Sequence, residues 1–214
     1  MAVGKAQRWG IAPCKLYLLI KNFKMNNPLI VDATYKSKKY TEHRLPKAEY
    51  EHCIFDTCIF SKAELSNITF SSCEFIDCDL SNANLKETSI KDCAFKNCKL
   101  LGINFSVCDL FLLSFSFDNC ILNYASFERL KLKKTLFKSC KIQHVDFTNS
   151  NLTEVIFEQC DLEHAIFSNT ILEKADFRTA YHFSIHPEEN SMKKAKFSKD
   201  NLEGLLSRYK IDVH

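Results

Sequence analysis

The residues with most chemistry to offer are ten cysteines between Cys53 and Cys160, six of which form pairs five apart: Cys53 and Cys58, Cys73 and Cys78, Cys93 and Cys98. Thiolates at short, recurring spacings can bind a soft metal or exchange disulfides. His144 and His164 lie twenty residues apart and could form a metal pair, although two ligands without a third make a weak site. His182 and His186 fall in a turn-like stretch, where packing is the simpler role. No Ser, His and Asp set or Gly-rich phosphate loop accompanies these groups, so we expect no enzyme activity, cofactor or metal.

The elements that must position these residues repeat every five. From Phe55 to Phe115, and again from Leu122 to Phe177, each fifth residue is apolar, giving 25 such centres. Two residues before each centre the side chain is mostly small, and all ten cysteines occupy that place. A large and a small inward group per five residues describe a chain that bends sharply after each short straight piece. Four pieces make a square coil of twenty residues. Buried free cysteine acts as a small hydrophobe, so we read these thiols as packing, in a reducing cytoplasm.

Stacking by twenty places Phe55, Phe75, Phe95 and Phe115 in one column, and Phe137, Phe157 and Phe177 continue it after a two-residue insertion. The insertion is expected to bulge outward near Ser116, Phe117, Asp118 and Asn119, with Phe117 as the exposed aromatic. Packing of Phe117 back onto the rod is the competing expectation.

Residues 1–24 carry five basic residues and no acid, which turns the chain's formal +3 into −2 for the remainder. Such a balance argues against a general nucleic-acid binder. Lys15 interrupts the apolar run Leu16 to Ile20 at its start, and no stretch nears the roughly 20 apolar residues of a membrane span. We expect 1–24 to be an extension, with Met25 as the natural start, 25–47 a lead-in, 48–182 the repeat rod, and 183–214 a cap. In the cap, Asp200 and Glu203 have capping-box spacing. Leu202, Leu205, Leu206 and Tyr209 share one face of a helix over about 200–209, and Ile211 and Val213 form a short strand. This element should cover the rod's open end.

Units such as Ala83-Asn84-Leu85, Cys78-Asp79-Leu80, Cys160-Asp161-Leu162 and Ala175-Asp176-Phe177 resemble the pentapeptide-repeat family over about residues 45–197. That resemblance implies an all-β solenoid, a right-handed quadrilateral β-helix. The run from Phe115 to Phe177, with the tail Ser184 to Asn190, Lys194 to Phe197 and the Leu-rich segment, is similar to Qnr-type quinolone-resistance and microcin-immunity proteins. This narrower likeness implies a homodimer through the C-terminal helix and binding to type II topoisomerases.

Charge gives that implication one candidate surface. Residues 142–177 hold seven acids against Lys174, and Glu154, Glu158 and Glu163 could follow the spacing of DNA phosphates. Against this, many acids sit just before a centre, where the repeat itself favours Asp or Asn. Between this stretch and residues 51–80, which hold six acids against Lys62, Arg129, Lys131, Lys133, Lys134, Lys138 and Lys141 form an acid-free run. A generic interaction scaffold with another cytosolic partner is the alternative function.

Overall fold

The structure, a computed structural model, describes residues 27–209 and Ile211. The expectations about residues 1–24, Met25 and Val213 fall outside the described residues.

The five-residue rule works through a left-handed corner. The residue two after nearly every centre has positive φ, as at Asn67 (59°), Ser72 (51°), Asp77 (53°), Asn82 (55°) and Gly102 (63°), with Val107 and Thr179 as exceptions. Asn and Asp tolerate this region well and glycine best. One such corner after each short extended piece turns the chain through a side of a square, and four corners return it one rung higher. Where the residue before a centre is Asp or Asn, its side chain can secure the corner. Asp79 Oδ1 accepts from the Ser81 amide at 2.9 Å, and Asp146 Oδ1 from Thr148 at 2.8 Å. Asn151 Oδ1 accepts from Thr153 at 3.1 Å in the same way.

Successive coils pair in parallel. One sheet is ordered β1 (Leu29–Val31), β3 (Glu49–Glu51), β5 (Thr69–Ser71) and β7 (Ser89–Lys91). The second runs β2 (Thr34–Lys36), β4 (Ile54–Asp56), β6 (Glu74–Ile76), β8 (Cys93–Lys96), β9 (Phe115–Asp118), β10 (Leu136–Lys138) and β11 (Ile156–Glu158). Single bridges such as Ile59↔Asp79 and Asn104↔Ser126 join the other two sides. The result is a parallel β-solenoid of about 6 turns, the fold read from the repeat.

The core is a set of stacked columns. Phe55, Phe75, Phe95, Phe117, Phe137, Phe157 and Phe177 stack face to face with ring centroids 4.9 to 5.3 Å apart. Phe197 closes the column 5.2 Å beyond Phe177. Parallel rungs hold identical rings near van der Waals contact, so each phenylalanine is buried by its own kind above and below. Of the 25 expected centres, Leu110 alone is exposed.

Three expectations need correction. The solenoid begins before residue 48, because β1 pairs with β3 and β2 with β4, and Ile30, Tyr35, Tyr40 and Leu45 already keep the five-residue beat. The Phe column passes through Phe117, not Phe115: Phe95 pairs with Phe117, and Cys93 with Phe115. Phe117 is therefore buried, and the insertion lies upstream of it. At the C-terminus, residues 199–205 and 207–209 form 3-10 helices broken by non-helical Asn201, with Ser198 as the cap in place of the expected Asp200 and Glu203 box.

Candidate functional site

Between the first strand and Phe177, the chain leaves the repeat in the segment after Cys108. Leu110, Phe111 and Leu112 stand 59%, 66% and 65% exposed, beside half-exposed Val107. Asp109 Oδ1 accepts from the Phe111 amide at 3.0 Å, fixing the turn. Leu112 takes the left-handed corner at φ 58°. Leu113 folds back against the core, and Ser114 donates its amide to Ile90 O at 3.1 Å. Because Leu110 points outward, its place inside is empty, and the Phe115 ring fills it from the neighbouring small-residue column, 5.1 Å from both Phe105 and Phe117. The Lys91 ammonium sits 5.5 Å from the centroid of the Phe111 ring. The bulge is thus a contiguous apolar crest on the rod. Phe111→Ser is expected to change unfolding free energy by no more than about 0.5 kcal/mol, measured by denaturant titration, because the ring supports nothing beneath it.

The residues expected to bulge are part of the wall instead. Ser116, Phe117 and Asp118 belong to β9, Asp118 lies 3.5 Å from Lys138 Nζ, and Asn119 is a corner bonded to Asn97 at 2.9 Å. Glu154, Glu158 and Glu163 do not share a face. Glu154 occupies a corner, paired with Lys174 at 2.9 Å and near Lys134 at 3.9 Å, and the Lys174 hydrogen bond holds its carboxyl below the usual range. Glu158 lies on the outer face of β11, and Glu163 accepts from Gln143 Nε2 at 3.1 Å on another side.

Acids on the β2–β11 wall are likewise interleaved with bases: Lys36 with Asp56 at 2.9 Å, Lys96 with Glu74 at 2.8 Å, and Arg178 with Asp176 at 2.8 Å. A continuous acidic row is not what this wall presents, and on the other two sides Asp79, Asp146 and Asp161 serve as turn acceptors.

The cysteines are packing. All ten between 53 and 160 are buried and free. Several thiols donate to carbonyls of the coil before, as Cys78 does to Phe55 O at 3.2 Å and Cys98 to Phe75 O at 3.3 Å. Burial pushes Cys108 up to about 12 and raises Cys53 and Cys58, so these groups stay protonated. His144 and His164 do stack, with centroids 4.8 Å apart, and Tyr124 extends the stack by a further 4.8 Å. Among the described residues no cluster of three or more His, Cys, Asp or Glu is placed to hold a metal.

At the C-terminal end Leu205 and Leu206 are half-buried, Leu205 against the core, whereas Leu202, Tyr209 and Ile211 are 43%, 53% and 56% exposed. The Tyr209 hydroxyl donates to Glu188 at 2.6 Å, tying the last turn to the loop after Ile185. His182 does not take the next inward place. It turns to Asp161 at 3.0 Å, and Phe183 and Ile185 are buried instead.

With this geometry the comparison with known families is direct. The family described as "Pentapeptide repeat region" matches residues 48–116 and 112–181. The chain belongs to the pentapeptide-repeat family. This pentapeptide-repeat chain is similar to QnrB1, a plasmid-mediated fluoroquinolone resistance protein, solved in a trypsin-treated form. Identity is 21% over 87% of this chain and 100% of that one, with a TM-score of 0.41. It is also similar to HetL, a pentapeptide repeat protein involved in heterocyst differentiation regulation from the cyanobacterium Nostoc. There the identity is 16%, the coverage 86% and 92%, and the TM-score 0.41. The sequence has no match among curated proteins. Among the described residues no helix is long and apolar enough to cross a membrane.

Proposed function

We propose that this pentapeptide-repeat protein is a non-enzymatic interaction rod that binds a type II topoisomerase and protects it from quinolone-like or microcin-like poisons. The observation that carries the reading is the crest of Leu110, Phe111 and Leu112. Elsewhere on the coils exposed apolar side chains such as Ile54, Ile156, Ile166 and Ile171 stand singly, whereas here three large ones follow in succession, and such patches mark surfaces for macromolecular partners. The rod supplies a stiff mount, and the partner's identity follows the likeness to quinolone-resistance relatives.

The crest is the centre of the contact in place of Phe117, with Asp118, Glu154, Glu158 and Glu163 as flanking polar groups. The interleaved charge of the wall favours engagement through the crest over imitation of DNA. Exposed Leu202, Tyr209 and Ile211 offer a face for a second copy, making the protein a homodimer through its C-terminal end. Ten free thiols suit a reducing cytoplasm.

The test is a gyrase supercoiling assay with a fluoroquinolone, with and without the protein. Restored supercoiling in its presence is the expected result. No protection together with no retention of gyrase on the immobilised protein would refute the reading, leaving an interaction scaffold for a different partner.

A further inference from the structure

The bulge removes more than a side chain from the rod; it also opens the ladder of backbone hydrogen bonds beneath it. One coil further on, the same side of the square is joined by Leu132 N to Asn151 O at 2.8 Å and Lys134 N to Thr153 O at 3.0 Å. The next coil repeats the pair, with Leu152 N to Ile171 O at 2.7 Å and Glu154 N to Glu173 O at 2.9 Å. The equivalents above would run from Leu110 to Lys131 and from Leu112 to Lys133. Among the described residues neither is made, nor does a bridge join Asp109 to Lys131 as Lys131 joins Asn151. The carbonyls of Lys131 and Lys133 therefore face a notch of about 220 Å³, bordered by Asp92, Leu113, Ser114 and the three lysines Lys131, Lys133 and Lys134.

This open edge coincides with the acid-free basic run. Lys131 and Lys133 flank buried Leu132 and so share the outward face, and Lys134 turns the corner. Nearby acids are engaged or few: Glu128 pairs with Arg129 at 3.2 Å, Glu154 lies 3.9 Å from Lys134 but pairs more closely with Lys174 at 2.9 Å, Asp109 accepts from the Phe111 amide, and Asp92 stands at the rim. Two carbonyls two residues apart match the alternate amides of an extended chain, whose rise is about 3.3 Å per residue. Its side chains on one face would then meet the lysines, and its apolar neighbours the crest.

We propose that this notch takes an extended acidic segment of a protein partner, added as a short strand against Lys131–Lys133. The inference rests on the reading of the bulge as a partner face and names the chemistry that docks there. A lipid surface fits less well, because phospholipid headgroups bring no regular row of amide donors to the open carbonyls, whereas strand addition does.

The experiment uses the full chain and a fluorescent peptide of alternating Glu and Val, with an alternating Lys and Val peptide as control, at low ionic strength. The wild type is expected to bind the acidic peptide and not the basic one. Lys131→Glu, Lys133→Glu and Lys134→Glu together should weaken the acidic peptide by about tenfold or more, the scale of a lost set of close charge pairs. A second variant keeps every lysine but closes the notch: removal of Phe111 and Leu112 with Phe115→Ala restores the twenty-residue period, and it should bind as weakly as the charge reversal. Unchanged binding by that variant would reduce the effect to loose attraction by surface lysines and overturn the proposal. So would absence of binding by the wild type, or displacement of bound peptide by phosphatidylserine vesicles. Peptide binding without gyrase protection would sink the topoisomerase reading and leave the notch standing, and the reverse result would sink the notch alone.

Discussion

Phe117→Ala lowers the free energy of unfolding by about 3–5 kcal/mol, the range for deleting a buried aromatic ring. The ring is 1% exposed and stacks on Phe95 at 5.3 Å and Phe137 at 5.2 Å, with Phe105, Phe115 and Phe127 around its edge. Removing it interrupts the column that links the coils on either side of the bulge. Rigid rungs on both sides limit collapse into the gap, which places the cost toward the upper part of the range. Denaturant titration by circular dichroism measures it. A loss below about 1 kcal/mol, typical of a surface site, would show that Phe117 is not in the column.

The second large effect is at the opposite end. Gly204→Ala is expected to detach the C-terminal 3-10 segment, because a Cβ at this position would lie 2.6 Å from the Phe183 ring and against the Phe183 carbonyl. The carbonyl is backbone and cannot swing away, and the Gly204 carbonyl also accepts from the Ile185 amide at 2.9 Å. Overpacking of this kind costs about 1–3 kcal/mol. The cap's other contacts, from Asn201 to the last coil and from Arg208 and Tyr209 to Glu188, lie only at this end, so it should come off before the coils unfold. Hydrogen exchange reads this out directly: the Ile185 amide should lose protection while those of the central coils keep theirs. Full protection of Ile185 in the variant would contradict the packing described.

These two positions mark where the sequence was legible and where it was not. The alternation of a large centre with a small residue two before it identifies the solenoid and the buried cysteines, and the twenty-residue coil puts His144 and His164 one rung apart. Position along the rod is readable wherever a rung obeys the same rule.

The bulge was misplaced for an equally physical reason. Counted forward, the beat reaches Phe115; counted backward from Phe177, it reaches Phe117. Both are phenylalanine, and only space decides between them. Phe115 holds a column otherwise filled by Cys93 and Thr135 because Leu110 has left the interior. A large residue in a small column is tolerated only beside a vacancy, and the vacancy is invisible to a periodic count. Phe111 and Leu112 did carry a signal, since apolar residues there occupy an outward place and a left-handed corner.

The first rung is hard to read because Ile30 and Tyr40 follow Pro28 and Lys38 where the later units have a small residue, and only Tyr35, after Ala33, keeps that pairing. The C-terminal segment reads as an amphipathic helix, yet Asn201 spends its amide on Phe177 O at 3.3 Å and Ala180 O at 2.8 Å, which breaks the helix to seal the last coil.

The central claim is that the protein works through the crest at Leu110, Phe111 and Leu112, with a type II topoisomerase as partner. The most direct measurement is the affinity of purified DNA gyrase for the immobilised protein, compared with Leu110→Ser, Phe111→Ser and Leu112→Ser combined. Gyrase should be retained by the wild type and bound at least about tenfold more weakly by the variant, roughly 1.4 kcal/mol or more, with thermal unfolding unchanged. Equal retention by both proteins, or none by the wild type, would contradict it.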